Sequence, residues 1–385
     1  MRKLALILAL ALVMLLVMGQ TRTRVGVEDI QYGYSSQDYI LSSTGDTITV
    51  MDVAPVNVLW FGADNTGSSN CTDSIAVALD SLISWNSGVG LGGAGGALYF
   101  PAGDYLVDSI PIAVDGLTIF GDGPEATNIY STATDTSPIF VNTADVEHIV
   151  VRDLSVQMCG GTSNAFDLDD VSKSIFSRID IYQASLGGKC TGAAFKINYT
   201  DGAAHSNSFY DIHIDGDDTL SYGFQFLSGA SEQRLYGCHF GELDTAVHIT
   251  DCKGIRVDNC TFDDFELGVW LPNSSGDPNW VHNSFFKNGV TGAVGVWVPG
   301  NSDGTRIIAN SYSSVDTAVS DYGTNTRRVA DQNRTWLDYV RVTAGDTPSF
   351  VPTAMGTTQM LGMLFFDQAD STLKVWDGDE WQDCW

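Results

Sequence analysis

Residues 255–272, IRVDNCTFDDFELGVWLP, hold two short β-prone runs around an acidic stretch, and the layout recurs along the chain. The first run has counterparts in IVVRDLSV (149–156), SIFSRIDI (174–181), SFYDIHI (208–214), QRLYGCHF (233–240), NWVHNSFF (279–286) and RIIANSYS (306–313). The second returns as AFDLD (165–169), AFKIN (194–198), GFQFL (223–227), AVHIT (246–250) and GVWVP (295–299). Side chains alternate faces along a strand. Phe166, Phe195, Phe224, Val247, Val269 and Val296 therefore share one face, and Leu168, Ile197, Phe226, Ile249, Leu271 and Val298 lie with them.

One column of the first run reads Leu154, Ile179, Ile212, Cys238, Cys260, Ser284, Ser311, with steps of 22 to 33 residues. Units so short cannot bury an apolar face alone, and coiling them so that like strands stack buries each unit against the next. The spacing predicts an all-β fold, a parallel β-solenoid. Asn259, Asn283 and Asn310 precede the last three members of the column and suit a turn with left-handed backbone.

The 385 residues carry 47 acids against 19 Lys plus Arg, a formal charge of -28. That balance argues against nucleic acid, which demands clustered basic groups. It also opposes a bare polyanionic glycan unless a cation such as calcium bridges the two. The seven cysteines show no zinc-ligand spacing, so no metal site is read from them. Cys238 and Cys260 share a column one coil apart, as a disulfide or as two packed thiols. Arg2 and Lys3 precede an apolar stretch, Leu4 to Met18, too short for a membrane span and patterned like a secretory signal. The expected parts are a signal-like segment (1–19), a polar lead-in (20–54), the solenoid (55–325), a connecting segment (326–361) and a terminal β-hairpin (362–385). A mature chain so built has no stable membrane span and is secreted, extracellular or on a virion surface.

Thr72 is a candidate N-cap for a helix over 72–86, with Ile75, Leu79, Leu82 and Ile83 at helical spacing. Together with VNVLWFGADNTGSSNCTDSIAVALDSL (56–82), GGALYFPAGDYLV (95–107) and GLTIFGDGPEAT (116–127), it resembles the first coils of the pectate-lyase-like superfamily of right-handed β-helices. The resemblance implies a right-handed parallel β-helix whose N-terminal helix caps the first coil, as found in phage tailspikes and secreted glycan-degrading enzymes. GMLFFDQADSTLKVWDGDEWQDCW (362–385) resembles a short terminal module of phage tail fibres. Tailspike relatives also imply a homotrimer.

If the apolar columns face in, Asp167, Lys196, Gln225, His248, Trp270 and Trp297 face out on the second run. Stacked tryptophans beside carboxylates would suit a polysaccharide, with Trp270, Trp297, His248 and Gln225 as binding candidates, unless a loop or a second chain covers them. On the first run the outward column reads Ser155, Asp180, His213, His239, Thr261, Phe285, Tyr312. Acids crowd the adjoining turns at 215–218, 241–244 and 263–266. Glycoside hydrolysis uses two carboxyl groups in different protonation states, and Asp263, Asp264 and Glu266 are the candidate catalytic groups. Asp217 and Asp218 match the Gly-Asp-Asp motif of polygalacturonases only loosely, and that family's other motifs are missing. A lyase needs a basic residue and often calcium; Arg234 and Arg256 are near, without an arginine cluster, so hydrolase ranks above lyase. The rival reading is a non-catalytic adhesin or structural surface protein. No cofactor is implied, with calcium left open.

Overall fold

The computed structural model describes residues 55–323 and 326–329, apart from 89–94, 132–136, 143–144, 160–163, 185–189, 200–204 and 274–277, and strand positions between 40 and 48 and between 364 and 383. The signal-like segment 1–19 and most of 326–361 lie outside the described residues. Two compact units divide the chain at Asp52 and Val53. In the first, Ile40–Leu41 pairs antiparallel with Thr47–Ile48.

The second unit is a right-handed parallel β-solenoid with three strand walls. Wall one joins Val151, Phe176, Phe209, Leu235, Val257, Val281 and Ile307 in register. Wall two joins Ile129, Val156, Ile181, Ile214, Phe240, Phe262, Phe286 and Tyr312. Wall three joins Ile110, Phe140, Phe166, Phe195, Phe224, Val247, Val269, Val296 and Val319. All of these are buried. Removing such side chains from water drives each coil onto the next, at about 25 cal/mol per Å² of apolar surface.

Large rings occupy different walls along the axis. Phe140, Phe166, Phe195 and Phe224 stack at centroid distances of 4.6, 4.4 and 4.6 Å on wall three. Beyond Phe224 that column turns to valine, and wall two takes over with Phe240, Phe262, Phe286 and Tyr312 at 4.9, 4.4 and 5.0 Å. Gly268 and Gly295 make room on wall three: a Cβ at Gly268 would sit 2.6 Å from Phe286 Cε1, and one at Gly295 2.7 Å from Tyr312 Cε1.

Between walls one and two each coil turns on one left-handed residue: Asp153, Arg178, Asp211, Gly237, Asn259, Asn283 and Ala309, with φ from 49° to 68°. Asn259 and Asn283 stand where the sequence puts them. The last coil is shifted by one. Phe285 pairs with Ser311, so Asn310, rather than Ser311, continues the inward column, and Ala309 takes the turn. Tyr312 faces in at 6 % exposure, against the expectation that it faces out. The buried Asn310 amide is satisfied: its Oδ1 accepts from Ser284 N at 2.9 Å and its Nδ2 donates to Val281 O at 2.9 Å.

Helix α1, Thr72–Gly88, buries Ile75, Ala78, Leu79 and Leu82 against the first coils, where it covers an otherwise open end. Asn70 Oδ1 accepts from Thr72 N at 2.9 Å, while the Thr72 hydroxyl accepts from Asp108 N instead of capping. Gly95 has no alternative: a Cβ there would lie 2.1 Å from Gly116 C. Cys71, Cys238, Cys252 and Cys260 are free and buried, so Cys238 and Cys260 are packed thiols. Leu364–Asp367, Thr372–Trp376 and Trp381–Asp383 form an antiparallel sheet of three strands, one more than a hairpin. Among the described residues no helix is long and apolar enough to cross a membrane.

Candidate functional site

On the outer side of wall two, the position after the His213–His239 pair reads Asp215, Gly241, Asp263, Lys287 along the axis. Gly241 leaves a gap between two carboxylates. The gap is the floor of an open groove of about 320 Å³ lined by His213, Asp215, His239, Gly241, Glu242, Asp263, Asp264 and Asn288. Glu242, Asp264 and Asn288 occupy one left-handed corner column, with φ of 54°, 50° and 51°. That corner interrupts strand alternation and turns Asp264 toward the same groove as its neighbour Asp263.

The groups differ in electrostatic setting. Desolvation pushes the Asp263 carboxyl up, but it is outweighed by Lys287 Nζ at 2.7 Å from Oδ2 and Asn288 Nδ2 at 2.9 Å from Oδ1, which hold it below the usual carboxylate range. His239 is shifted the other way for an imidazole: burial, and then the nearby His213, lower its pKa. Its Nδ1 is buried without a hydrogen-bond partner. The His213 and His239 rings lie 4.8 Å apart at 64°. One coil earlier, Asp180 pairs with His213, and burial raises its carboxyl against the pull of that histidine. The groove thus holds an ionised carboxylate and a proton-accepting imidazole with an open face between coils. Among the described residues, no three His, Cys, Asp or Glu side chains converge as metal ligands.

Wall three carries Gln225, His248, Trp270 and Trp297 in register on its outer side. The rings stack along the axis: Tyr222 on His248 at 5.5 Å, His248 on Trp270 at 4.4 Å, Trp270 on Trp297 at 5.7 Å, within 22° of parallel. Their faces cover one another, so neither tryptophan is fully exposed. Trp297 pairs with Ser320 on the next coil, and among the described residues no ring lies over that face. His248 is 9 % exposed and burial lowers its pKa to about 4. Thr250 Oγ1 lies 2.7 Å from its Nε2.

The groove brings together Asp263 and Asp264 but not Glu266, which is exposed and outside the lining. Its other members, Asp215, Glu242, His213 and His239, lie in acid-rich turns or the outward column of the sequence. Gly241, Lys287 and Asn288 escaped sequence reasoning. Aligning Gly241 between Asp215 and Asp263 in the repeat would have revealed the gap.

Residues 55–147 match a family described as rhamnogalacturonase A/epimerase, pectate lyase-like, and residues 138–312 match the right-handed beta helix region. The chain folds as a right-handed β-helix, and its first coils match the pectate-lyase-like family model. Among solved structures it is similar to PfbA, a surface adhesin of Streptococcus pneumoniae, at 14 % identity and TM-score 0.55, covering 71 % of this chain and 78 % of that one. Also similar are ORF18 of Geobacillus virus E2 (15 %, TM-score 0.43, 77 % and 66 %) and tailspike protein 2 of Escherichia coli O157:H7 bacteriophage CAB120 (11 %, TM-score 0.45, 75 % and 43 %). The chain spans under two thirds of the length of these last two proteins. No curated protein sequence matches it.

Proposed function

We propose that this protein binds a carbohydrate polymer across the groove of wall two and hydrolyses it there. The observation that carries the reading is the pair Asp215 and Asp263 on either side of Gly241. Two coils separate their backbones, roughly 9.6 Å at about 4.8 Å per coil, just past the carboxyl separation of about 6.5–9.5 Å that leaves room for a water in an inverting glycosidase, a difference that side-chain torsions span. In this reading Asp263, held ionised by Lys287, takes a proton from the attacking water. The new C–O bond forms at the anomeric carbon as the glycosidic bond breaks, and the departing oxygen takes up a proton on the side of Gly241 where Asp215 stands in the general-acid position. Asp264 and Glu242 bind sugar hydroxyls from the corner, and the free face of Trp297 stacks on a ring further along the polymer.

A polymer substrate places the action outside the cell or on a virion surface, in keeping with the signal-like residues 4–18. A second reading, attachment without cleavage, is favoured by the Lys287–Asp263 ion pair, which makes the groove a fixed polar surface, and by the adhesin neighbour.

The deciding experiment incubates the protein with neutral and acidic polysaccharides, with and without calcium, while reducing ends and ultraviolet absorbance are followed together. Reducing ends alone, abolished by Asp263→Asn with binding retained, is the expected result. Both signals would mean a lyase, and binding without either would favour attachment.

A further inference from the structure

Among the described residues, arginine gathers on the outer side of wall one. From Ser208 onward the column reads Ser208, Arg234, Arg256, Trp280, Arg306, Arg327, each paired in register with the next. Like charges on facing strand positions repel. The fold does not call for them, because the same column holds Val150, Ile175 and Ser208 in earlier coils. Asp258 opposes them on this stretch of wall, 3.7 Å from Arg234 Nε and 3.3 Å from His282 Nδ1. Among the described residues no ion pair involves Arg256, Arg306 or Arg327. Arg256, Arg234 and Arg327 are exposed.

The indole of Trp280 organises the strip. Arg306 lies over it at 4.4 Å and Arg256 at 5.8 Å, and Arg234 lies over Tyr236 at 5.4 Å. A guanidinium stacked on a ring keeps its fork of N–H donors free at the edge, suited to carboxylate or sulfate oxygens. The charges recur at multiples of the coil spacing, about 4.8 Å, in a straight line. The remainder of a chain with a formal charge of -28 repels polyanions, and its field fades within about 8 Å at physiological salt. A line of cations on such a surface selects a linear polyanion and fixes its direction along the solenoid axis.

We infer that the arginine–tryptophan strip of wall one is a docking track for an anionic polysaccharide bearing carboxylate or sulfate groups, separate from the groove of wall two. It anchors the polymer and contains no acid–base pair for chemistry.

The full chain is tested by surface plasmon resonance over immobilised heparin, a carboxylated and sulfated probe, with immobilised dextran as the neutral reference. Heparin binding that weakens as salt rises, without dextran binding at the same site, is expected. Arg256→Gln/Arg306→Gln should lose at least ten-fold in affinity and Trp280→Ala several-fold, while Lys196→Gln, which removes a cation of wall three paired with Asp167, binds as wild type. Arg256 is exposed while Arg306 and Trp280 are half-buried, so melting curves check folding, and Arg327→Gln alone should cost a smaller, measurable loss. Wild-type protein that ignores heparin, or a double variant that binds equally well, overturns the assignment. Cleavage in the groove is read separately, so either idea can fail alone.

Discussion

Lys287 Nζ sits 2.7 Å from Asp263 Oδ2, one coil further along the same outward column. The contact keeps the carboxylate ionised against the desolvation of a half-buried site. Replacing Lys287 by Met removes a charge-assisted hydrogen bond and should let the Asp263 pKa rise. The acidic limb of the pH–activity profile is then expected to move to higher pH, measurable as kcat/KM against pH on whichever polysaccharide is cleaved. An unmoved limb would assign that limb to another group.

Gly241 is the gap in the groove floor. A Cβ there meets His239 Cε1 and Ile214 O at an ordinary 3.8 Å, so Gly241→Ala should fold and retain most function. Gly241→Leu should fold too but project its branch between Asp215 and Asp263. A drop of ten-fold or more in polymer cleavage with an unchanged melting temperature is expected for Leu and not for Ala.

His248 gives the solenoid a pH-dependent stability. Burial lowers its pKa to about 4, whereas in the unfolded chain it titrates near 6.5. Between those values the unfolded state binds more protons, so stability falls as pH drops from about 6.5 to about 4, by on the order of 3 kcal/mol. Chemical denaturation across that window should show the loss in wild type and a reduced loss in His248→Gln.

Gly268 lies where wall three must admit the Phe286 ring. Its added Cβ would be 2.4 Å from Gly295 O and 2.6 Å from Phe286 Cε1, contacts that cannot relax by moving a flexible side chain. Gly268→Ala should destabilise by roughly 1–3 kcal/mol, readable as a lower melting temperature. Gly292→Ala is no space control, because Gly292 has φ of 89° and would be strained for a different reason.

The walls were legible because burial imposes a period: Phe166, Phe195 and Phe224 hold the same place in successive units, and the structure pairs them in that register. The same approach slipped at Ser311, where a hydroxyl resembling that of Ser284 hid an asparagine that enters the core and spends its amide on Ser284 and Val281. Side-chain chemistry alone cannot distinguish a turn asparagine from a satisfied buried one. The acids were visible as clusters, but what groups Asp263 with Asp215 and parts it from Glu266 is a left-handed corner at Asp264 and a missing side chain at Gly241. Neither leaves a composition signal. The tryptophans were found, yet ring faces turned along the axis depend on rotamers, which the alternation rule does not specify.

The transfer of large rings from wall three to wall two, at the edge-on contact of Phe224 with Phe240, 5.9 Å and 77°, has a mechanical side. Coils couple only to their neighbours, and here the coupling passes from one stacked column to another instead of continuing within either. Asp215 belongs to the coil before this joint and Asp263 to the second coil after it. Strand pairing crosses the joint on all three walls, so the span between the two carboxylates is set by two coil repeats whichever wall carries the rings.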